Sequence, residues 1–441
     1  MFRSILILFL AIGMAATPSI SQTAALMKSA QQAMSKQDWQ GAITSTQKVV
    51  KAEPKNGPAW IIQSMAYLQL NNAPAAASSA STAASVAPTI LQGWLLWGEA
   101  LQRMNKADSA ISVLTTCSER FPDSSRVTYA LGMAYVRADR CEGAITPLEE
   151  TMFRRPDNVE IVKQLAACYL KLERFHEAAD LFGRLHESSP NDQNISLRFA
   201  ESLLGSKRAD SAVVVLREAS QRLPDNAQIL TLLAIAYQQG GKYPEARKIL
   251  EPLSASFPND ADIWYNLGYV QNALGERADA IKAFKKAIAI RSNFGQAWFN
   301  LGIAYAEEGF IDEGVNAFQR AAILLPTQAA TCYNSVAVLY RRSGSIDASV
   351  KAHRQAISLA PKDPDMYSAL GHTYLTAERY TDAKDFLEGA LATFPDNAEI
   401  LYPLGQCYIR LGDAAALDRV LKQLDAQRSE YAAALRTMMK L

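Results

Sequence analysis

A period of 34 residues constrains this chain more than any other feature. Trp264 recurs as Trp298, and Leu267-Gly268 recurs as Leu301-Gly302. With Trp264 as position 4, units begin at Thr23, Gly57, Leu91, Ser125, Val159, Gln193, Ala227, Ala261 and Gly295. One extra residue follows Pro326, and further units begin at Ala330, Pro364 and Ala398. A fixed period of this length signals stacked supersecondary units rather than ordinary globular domains.

The columns carry the physics. Position 8 is small in every unit: Ala30, Ser64, Gly98, Gly132, Ala166, Ala200, Ala234, Gly268, Gly302, Ala337, Gly371 and Gly405. Position 20 is small from Ala42 to Ala383, and only Leu417 is large. Two helices approach closely only where side chains are small, so positions 8 and 20 are expected to face each other. Large residues at positions 4, 7, 11 and 24 fill the rest at helical spacing. Proline at position 32, from Pro54 to Pro395, stops the second helix of each pair; Ser292 and Ser429 are exceptions. Gly275, Gly309, Gly344 and Gly412 stand at position 15, the turn inside the pair, where glycine easily tolerates positive φ.

Local departures carry their own expectations. Pro147 and Pro403 fall inside helices and predict kinks or late starts. The Ala/Ser-rich stretch 73–88 keeps the register and reads as a thinly packed helix. The extra residue near Ala330 and the missing proline at Ser292 predict loosened stacking around the ninth unit.

Motif elements Trp94, Gly98, Tyr135, Ala178, Phe182 and Pro190 stand where the tetratricopeptide repeat asks for them, and the chain closely resembles that family from about Thr23 to Tyr431. The resemblance implies an all-α fold, a right-handed superhelical solenoid of antiparallel helix pairs. The expected organisation is an export signal at 1–21, twelve units over 22–428 and a capping helix at 429–441. It also implies a concave face built from first helices that binds extended peptides or partner helices, with no cofactor and no catalysis.

The expected groove residues are Tyr129, Gln164, Arg198, Tyr265, Asn266, Tyr269, Phe299, Asn300, Asn334, Arg342, His372 and Tyr402. They combine aromatic anchors, amides able to bond a peptide backbone, and part of a broken basic row that also includes Arg103, Arg137, Lys171 and Arg410. Asn266 and Asn300 resemble the start of the asparagine ladder that some family members use, although Ser335 ends it. Each residue also has a purely structural reading, as solvated surface or stacking between units. The basic row meets either a partner's carboxylates or Glu99, Glu201 and Glu307.

The first residues, MFRSILILFLAIGMAATPSISQTA, place Arg3 before a short apolar run and then small residues, the order of a cleaved export signal. Cleavage is expected after Ser21 or Ala16, leaving no stable transmembrane segment and a periplasmic or otherwise exported chain. A buried N-terminal helix is the alternative. Lys plus Arg number 45 against 44 for Asp plus Glu, which argues against a partner bound by phosphate neutralisation, so no nucleic acid is expected. The five cysteines form no disulfide framework and read as small packing residues. The four histidines lack zinc-ligand spacing; His353 reads as a structural substitute at position 24. Phosphate-loop and nucleophile-elbow motifs are absent from the sequence.

Three functions remain open at this point: an exported scaffold for peptides or partner subunits in envelope assembly, secretion or export; a regulatory or substrate-presenting subunit of a separate enzyme; and a glycan-binding solenoid using Tyr265, Phe299 and Tyr402.

Overall fold

Every helix pair is closed by the same left-handed residue at position 15. Gln37, Asn71, Asn105, Asp139, Glu173, Lys207 and Glu378 adopt positive φ there, as do Gly241, Gly275, Gly309, Gly344 and Gly412. The turn is therefore a property of the backbone path, and glycine is only its easiest occupant.

The structure is a computed structural model that describes residues 20–439; residues 1–19, which carry most of the expected export signal, lie outside them. The described residues hold 25 α-helices and no strand. They form two compact units, divided between Val215 and Leu216.

In the first unit the pairs are α1 (Ile20–Ser35) with α2 (Trp39–Ala52), and α3 (Gly57–Gln69) with α4 (Ala73–Val86). They continue as α5 (Leu91–Arg103) with α6 (Ala107–Arg120), α7 (Ser125–Arg137) with α8 (Cys141–Arg154), and α9 (Val159–Lys171) with α10 (Phe175–Ser188). Helix α11 (Gln193–Gly205) follows, and the division falls within α12 (Ala209–Arg222). The second unit pairs α13 (Ala227–Gln239) with α14 (Tyr243–Ser256), α15 (Ala261–Ala273) with α16 (Arg277–Ile290), and α17 (Gly295–Glu308) with α18 (Ile311–Leu324). Its remaining pairs are α19 (Ala329–Arg342) with α20 (Ile346–Leu359), α21 (Pro364–Thr376) with α22 (Tyr380–Leu391), and α23 (Ala398–Leu411) with α24 (Ala414–Ala426). A final α25 (Glu430–Met438) packs Leu435 onto Gly405.

Positions 8 and 20 do meet. The Ser64 hydroxyl donates to the Ala76 carbonyl at 3.0 Å, and the Ser349 hydroxyl donates to the Ala337 carbonyl at 2.7 Å. The large residue at position 24 lies over position 8: a Cβ on Gly98, Gly132 or Gly371 would stand 2.7 Å from Leu114, Leu148 or Leu387. Several junctions are then tied by position 4. The indoles of Trp60, Trp94 and Trp264 donate to the carbonyls of Pro54, Pro88 and Pro258 at 2.8–3.1 Å. Trp298 makes the same bond to Ser292 at 3.1 Å, so the junction at that unit survives without proline. Asn56, Asn158, Asp192, Asn226, Asp260, Asp363 and Asn397, each two residues past a proline, cap the following first helix through their side chains.

The local departures leave the helix lengths unchanged. Helices α8 and α23 begin at their ordinary places and run unbroken for 14 residues through Pro147 and Pro403. The extra residue is absorbed by a 3-10 turn at Pro326–Gln328 ahead of α19, which leaves α19 itself at 14 residues. Helix α4 buries Ala73, Ala76, Ala77, Ser79, Ala80, Ala83 and Ala84, a core of small side chains.

Candidate partner-binding surface

First helices share one face within each unit, and that face carries the expected groove residues. In the first unit Tyr129 on α7 is half-buried and lines a cavity of about 310 Å³ between α5 and α7. Leu95, Leu96, Leu114, Ala130 and Met133 form its apolar lining. Gln92, Glu99, Gln102, Arg126, Arg137 and Arg155 form its polar part. Gln164 on α9 instead donates to Glu160 on its own helix at 2.7 Å, and exposed Arg198 on α11 pairs with Glu201 at 2.8 Å.

In the second unit the aromatic anchors pack inward. The Tyr265 ring lies 4.9 Å from Phe294 and 6.1 Å from Phe284, and its phenol accepts from the Asn300 amide at 3.0 Å. Burial raises the Tyr265 pKa, and the Asn300 bond partly offsets this. Phe299 stands edge-on to Phe318 at 5.4 Å, and Tyr402 stacks on Tyr431 at 4.6 Å. Asn266 is buried and donates to the Asp262 carbonyl one turn back in α15 at 2.9 Å. The expected asparagine ladder is thus absent: one amide serves its own helix and the other ties adjacent units together. Tyr269 remains exposed on α15. His372 is half-buried beside Tyr402, at 6.4 Å between rings; burial lowers its pKa, Arg341 adds to this, and Glu399 opposes it.

The basic row at position 13 mostly serves stacking. Arg103 donates to the Leu68 carbonyl at 2.8 Å and pairs with Glu99 at 2.7 Å. Arg342 donates to the Ala306 carbonyl at 2.9 Å, Arg137 to Gln102 at 2.5 Å, and Lys171 pairs with Asp139. Each reaches back to the preceding repeat. A basic side chain spaced at every repeat can therefore serve a carbonyl at the end of the preceding first helix as readily as a ligand.

A different set of groups on this face lacks partners. The side-chain oxygens of Gln63, Gln238, Gln271, Asn272 and Asn334, and the Arg341 Nε, are buried without a hydrogen bond among the described residues. All six lie on first helices: α3, α13, α15 and α19. Of these only Asn334 stood among the expected site residues. Gln238, Asn272 and Arg341 stand at position 12, whereas Gln63 and Gln271 fall at positions 7 and 11, which were expected to fill the core; whether a polar side chain is partnered depends on the neighbouring repeat.

His353, at position 24 of its repeat, is a core residue. It is buried at 1% exposure between α20 and α21, with Nε2 2.9 Å from the Thr373 hydroxyl. All five cysteines are buried and free. Among the described residues no cluster of three or more His, Cys, Asp or Glu side chains could hold a metal ion, and no helix is long and apolar enough to cross a membrane.

These features define a helical-repeat protein built from antiparallel helix pairs. Tetratricopeptide repeat profiles match residues 203–267 and 374–439, residues 261–294 and residues 329–360. The profile of the Psidin N-terminal TPR repeats region matches residues 87–196. The chain belongs to the tetratricopeptide repeat family. Among solved structures, it is similar to the APC/C hetero-tetramer Cut9-Hcn1 at 15% identity, covering 95% of this chain and 96% of that one, with a TM-score of 0.39. Yeast Tom70 aligns at 14% identity over 95% of this chain and 96% of its own, with a TM-score of 0.42. MamA aligns at 23% identity over 37% of this chain and 95% of its own, with a TM-score of 0.35. A comparison with curated proteins finds no match.

Proposed function

We propose that this protein is an exported interaction scaffold that binds peptide segments or partner subunits on its first-helix face, in envelope assembly, secretion or export. The observation that carries the binding half is the row of unpartnered buried groups. An orphaned buried acceptor costs about 1–3 kcal/mol, and a side chain that turns outward to meet a partner's backbone N–H groups would recover that. Gln238, Gln271, Asn272 and Asn334 supply four such acceptors on three first helices of the second unit. Export rests on the order of residues in the first 21 positions. The reading includes no catalysis, cofactor or metal.

The test is a pull-down from envelope and cytoplasmic fractions with the full chain and with a Gln238→Leu/Asn272→Leu/Asn334→Leu variant. A partner captured by the wild type and lost by the variant supports the first-helix face. Equal capture overturns it. These substitutions remove the unpaired oxygens together with their amide N–H groups, so circular dichroism and a thermal melt of the variant check that the free protein stays folded. N-terminal sequencing of the mature protein tests export: an intact Met1 in the cytoplasmic fraction sinks that half.

A further inference from the structure

The cavity between α5 and α7 is built to take an acidic peptide segment with an apolar side chain at its centre, a ligand class narrower than the general scaffold reading on which this inference rests. Its polar part consists almost wholly of donors. Arg126 donates to the Gln92 amide oxygen at 2.8 Å, and Arg137 donates to the Gln102 amide oxygen at 2.5 Å. Each pair is arranged so that the glutamine's acceptor is occupied and its N–H groups are left over. Arg155 adds a third guanidinium. None of these three arginines has a carboxylate within ion-pair distance among the described residues; two of them are held by glutamine oxygens instead.

Glu99 is the one acid in the cavity lining, and Arg103 holds it at 2.7 Å. Arg103 is itself anchored to the preceding repeat through the Leu68 carbonyl. The local balance is therefore three cations facing no free anion. Three guanidinium groups thus meet at one cavity without a carboxylate partner among the described residues.

The floor excludes a purely polar ligand. Leu96 and Leu114 are buried, and Leu95, Ala130 and Met133 are half-buried beneath the rim. At about 310 Å³ the cavity falls at the small end of ligand pockets, which run from roughly 300 to 1,000 Å³. That volume suits one or two side chains better than a folded surface. Guanidinium groups are planar donors matched to carboxylates, often two bonds at once. We infer that a partner inserts an aliphatic or aromatic residue between α5 and α7, with flanking Asp or Glu side chains on Arg126, Arg137 and Arg155.

The test selects a displayed library of random short peptides on the full chain. Enriched peptides are then measured by fluorescence anisotropy against the wild type, Arg126→Gln/Arg137→Gln/Arg155→Gln and Leu95→Ser, each checked by circular dichroism for intact helix. The expected result is enrichment of an apolar residue flanked by carboxylates, with affinity falling roughly tenfold or more in the arginine variant. Leu95→Ser should also weaken binding without changing its salt dependence. Enriched peptides lacking flanking carboxylates, or binding the arginine variant as tightly as wild type, overturn the inference while leaving the scaffold reading intact. Binding of a DNA oligonucleotide that depends on the arginines but not on Leu95 overturns it in favour of a simple anion surface. If no peptide is enriched, both readings fail for this unit.

Discussion

Two glycine-to-alanine changes in helices of the second unit should move stability in opposite directions. Gly268 on α15 and Gly389 on α22 both lie within helices, where alanine is favoured by about 0.8–1 kcal/mol. They differ in what the added methyl would meet. At Gly389 nothing lies within 4 Å, so Gly389→Ala should stabilise by about 0.5–1 kcal/mol. At Gly268 a Cβ would stand 2.9 Å from Cδ1 and Cε1 of Phe284 and 3.2 Å from the Ala280 carbonyl. Phe284 is fully buried, and the carbonyl belongs to the facing helix, so neither can retreat freely. Overpacking of this kind costs about 1–3 kcal/mol. Less the propensity gain, Gly268→Ala should destabilise by about 1 kcal/mol, leaving the two variants about 2 kcal/mol apart.

Repeat arrays need not unfold in one step, so urea midpoints should be read together with hydrogen exchange of peptides covering 261–290. Phe284→Ala supplies the control. It removes the ring atoms nearest the new methyl, so the double variant should be less destabilised than the sum of the singles by about 1 kcal/mol. Additivity within about 0.3–0.5 kcal/mol would mean that ring and methyl do not meet. That result, or a Gly268→Ala variant as stable as Gly389→Ala, would refute the close-approach account of position 8.

Other outcomes follow from the same coordinates. Glu173→Gly and Lys207→Gly should each raise stability by up to about 1 kcal/mol, because both residues hold φ near +60° where glycine carries no steric penalty; thermal melts of the two variants check this. Burial pushes the Cys117 and Cys332 thiols up to about 11 and Cys168 and Cys407 up to about 12, from an ordinary 9.0. The folded state thus prefers the protonated thiols, and their contribution is full below pH 9 and lost as pH climbs through 11 to 12. Native alkylation should accordingly be far slower than in urea, as mass spectrometry would read. Burial pulls His353 down from 6.5 to about 4, with Arg341 adding to the effect. Its folded state prefers neutral imidazole, so stability is full above pH 6.5 and falls by a few kcal/mol as pH drops toward 4; His353→Gln should flatten that part of the pH–stability curve.

The helix pairs were legible because they rest on local chemistry repeated many times. A small residue at position 8, a proline at position 32 and a large residue at position 24 each state a requirement of one helix pair. Twelve statements of the same requirement leave little freedom. The left-handed turn was only half legible: glycine revealed it in some units, whereas Glu173, Lys207 and Glu378 adopt it with no sign in their identity. The capping Asn or Asp two residues past seven of the ten prolines at position 32 could have been read in advance from its spacing, since a side-chain acceptor at that point is an N-cap signal.

The surface was legible as a stripe and no further. Periodicity places Tyr265, Asn266, Phe299, Asn300 and Tyr402 on first helices, and it says nothing about how far each side chain reaches. Asn300 bonds Tyr265 of the preceding repeat, and Tyr402 stacks on Tyr431 of the closing helix. Those contacts depend on the distance between repeats, which no single repeat contains. The same holds for Arg126, Arg137 and Arg155, whose want of a carboxylate emerges only once α5, α7 and the end of α8 are set side by side. By itself the sequence determined the repeat, its helix boundaries and its internal core, because those depend on contacts within one pair. Only the tertiary structure decided which polar side chains are partnered and which stand open, because a hydrogen bond is won or lost over a fraction of an ångström between neighbouring repeats.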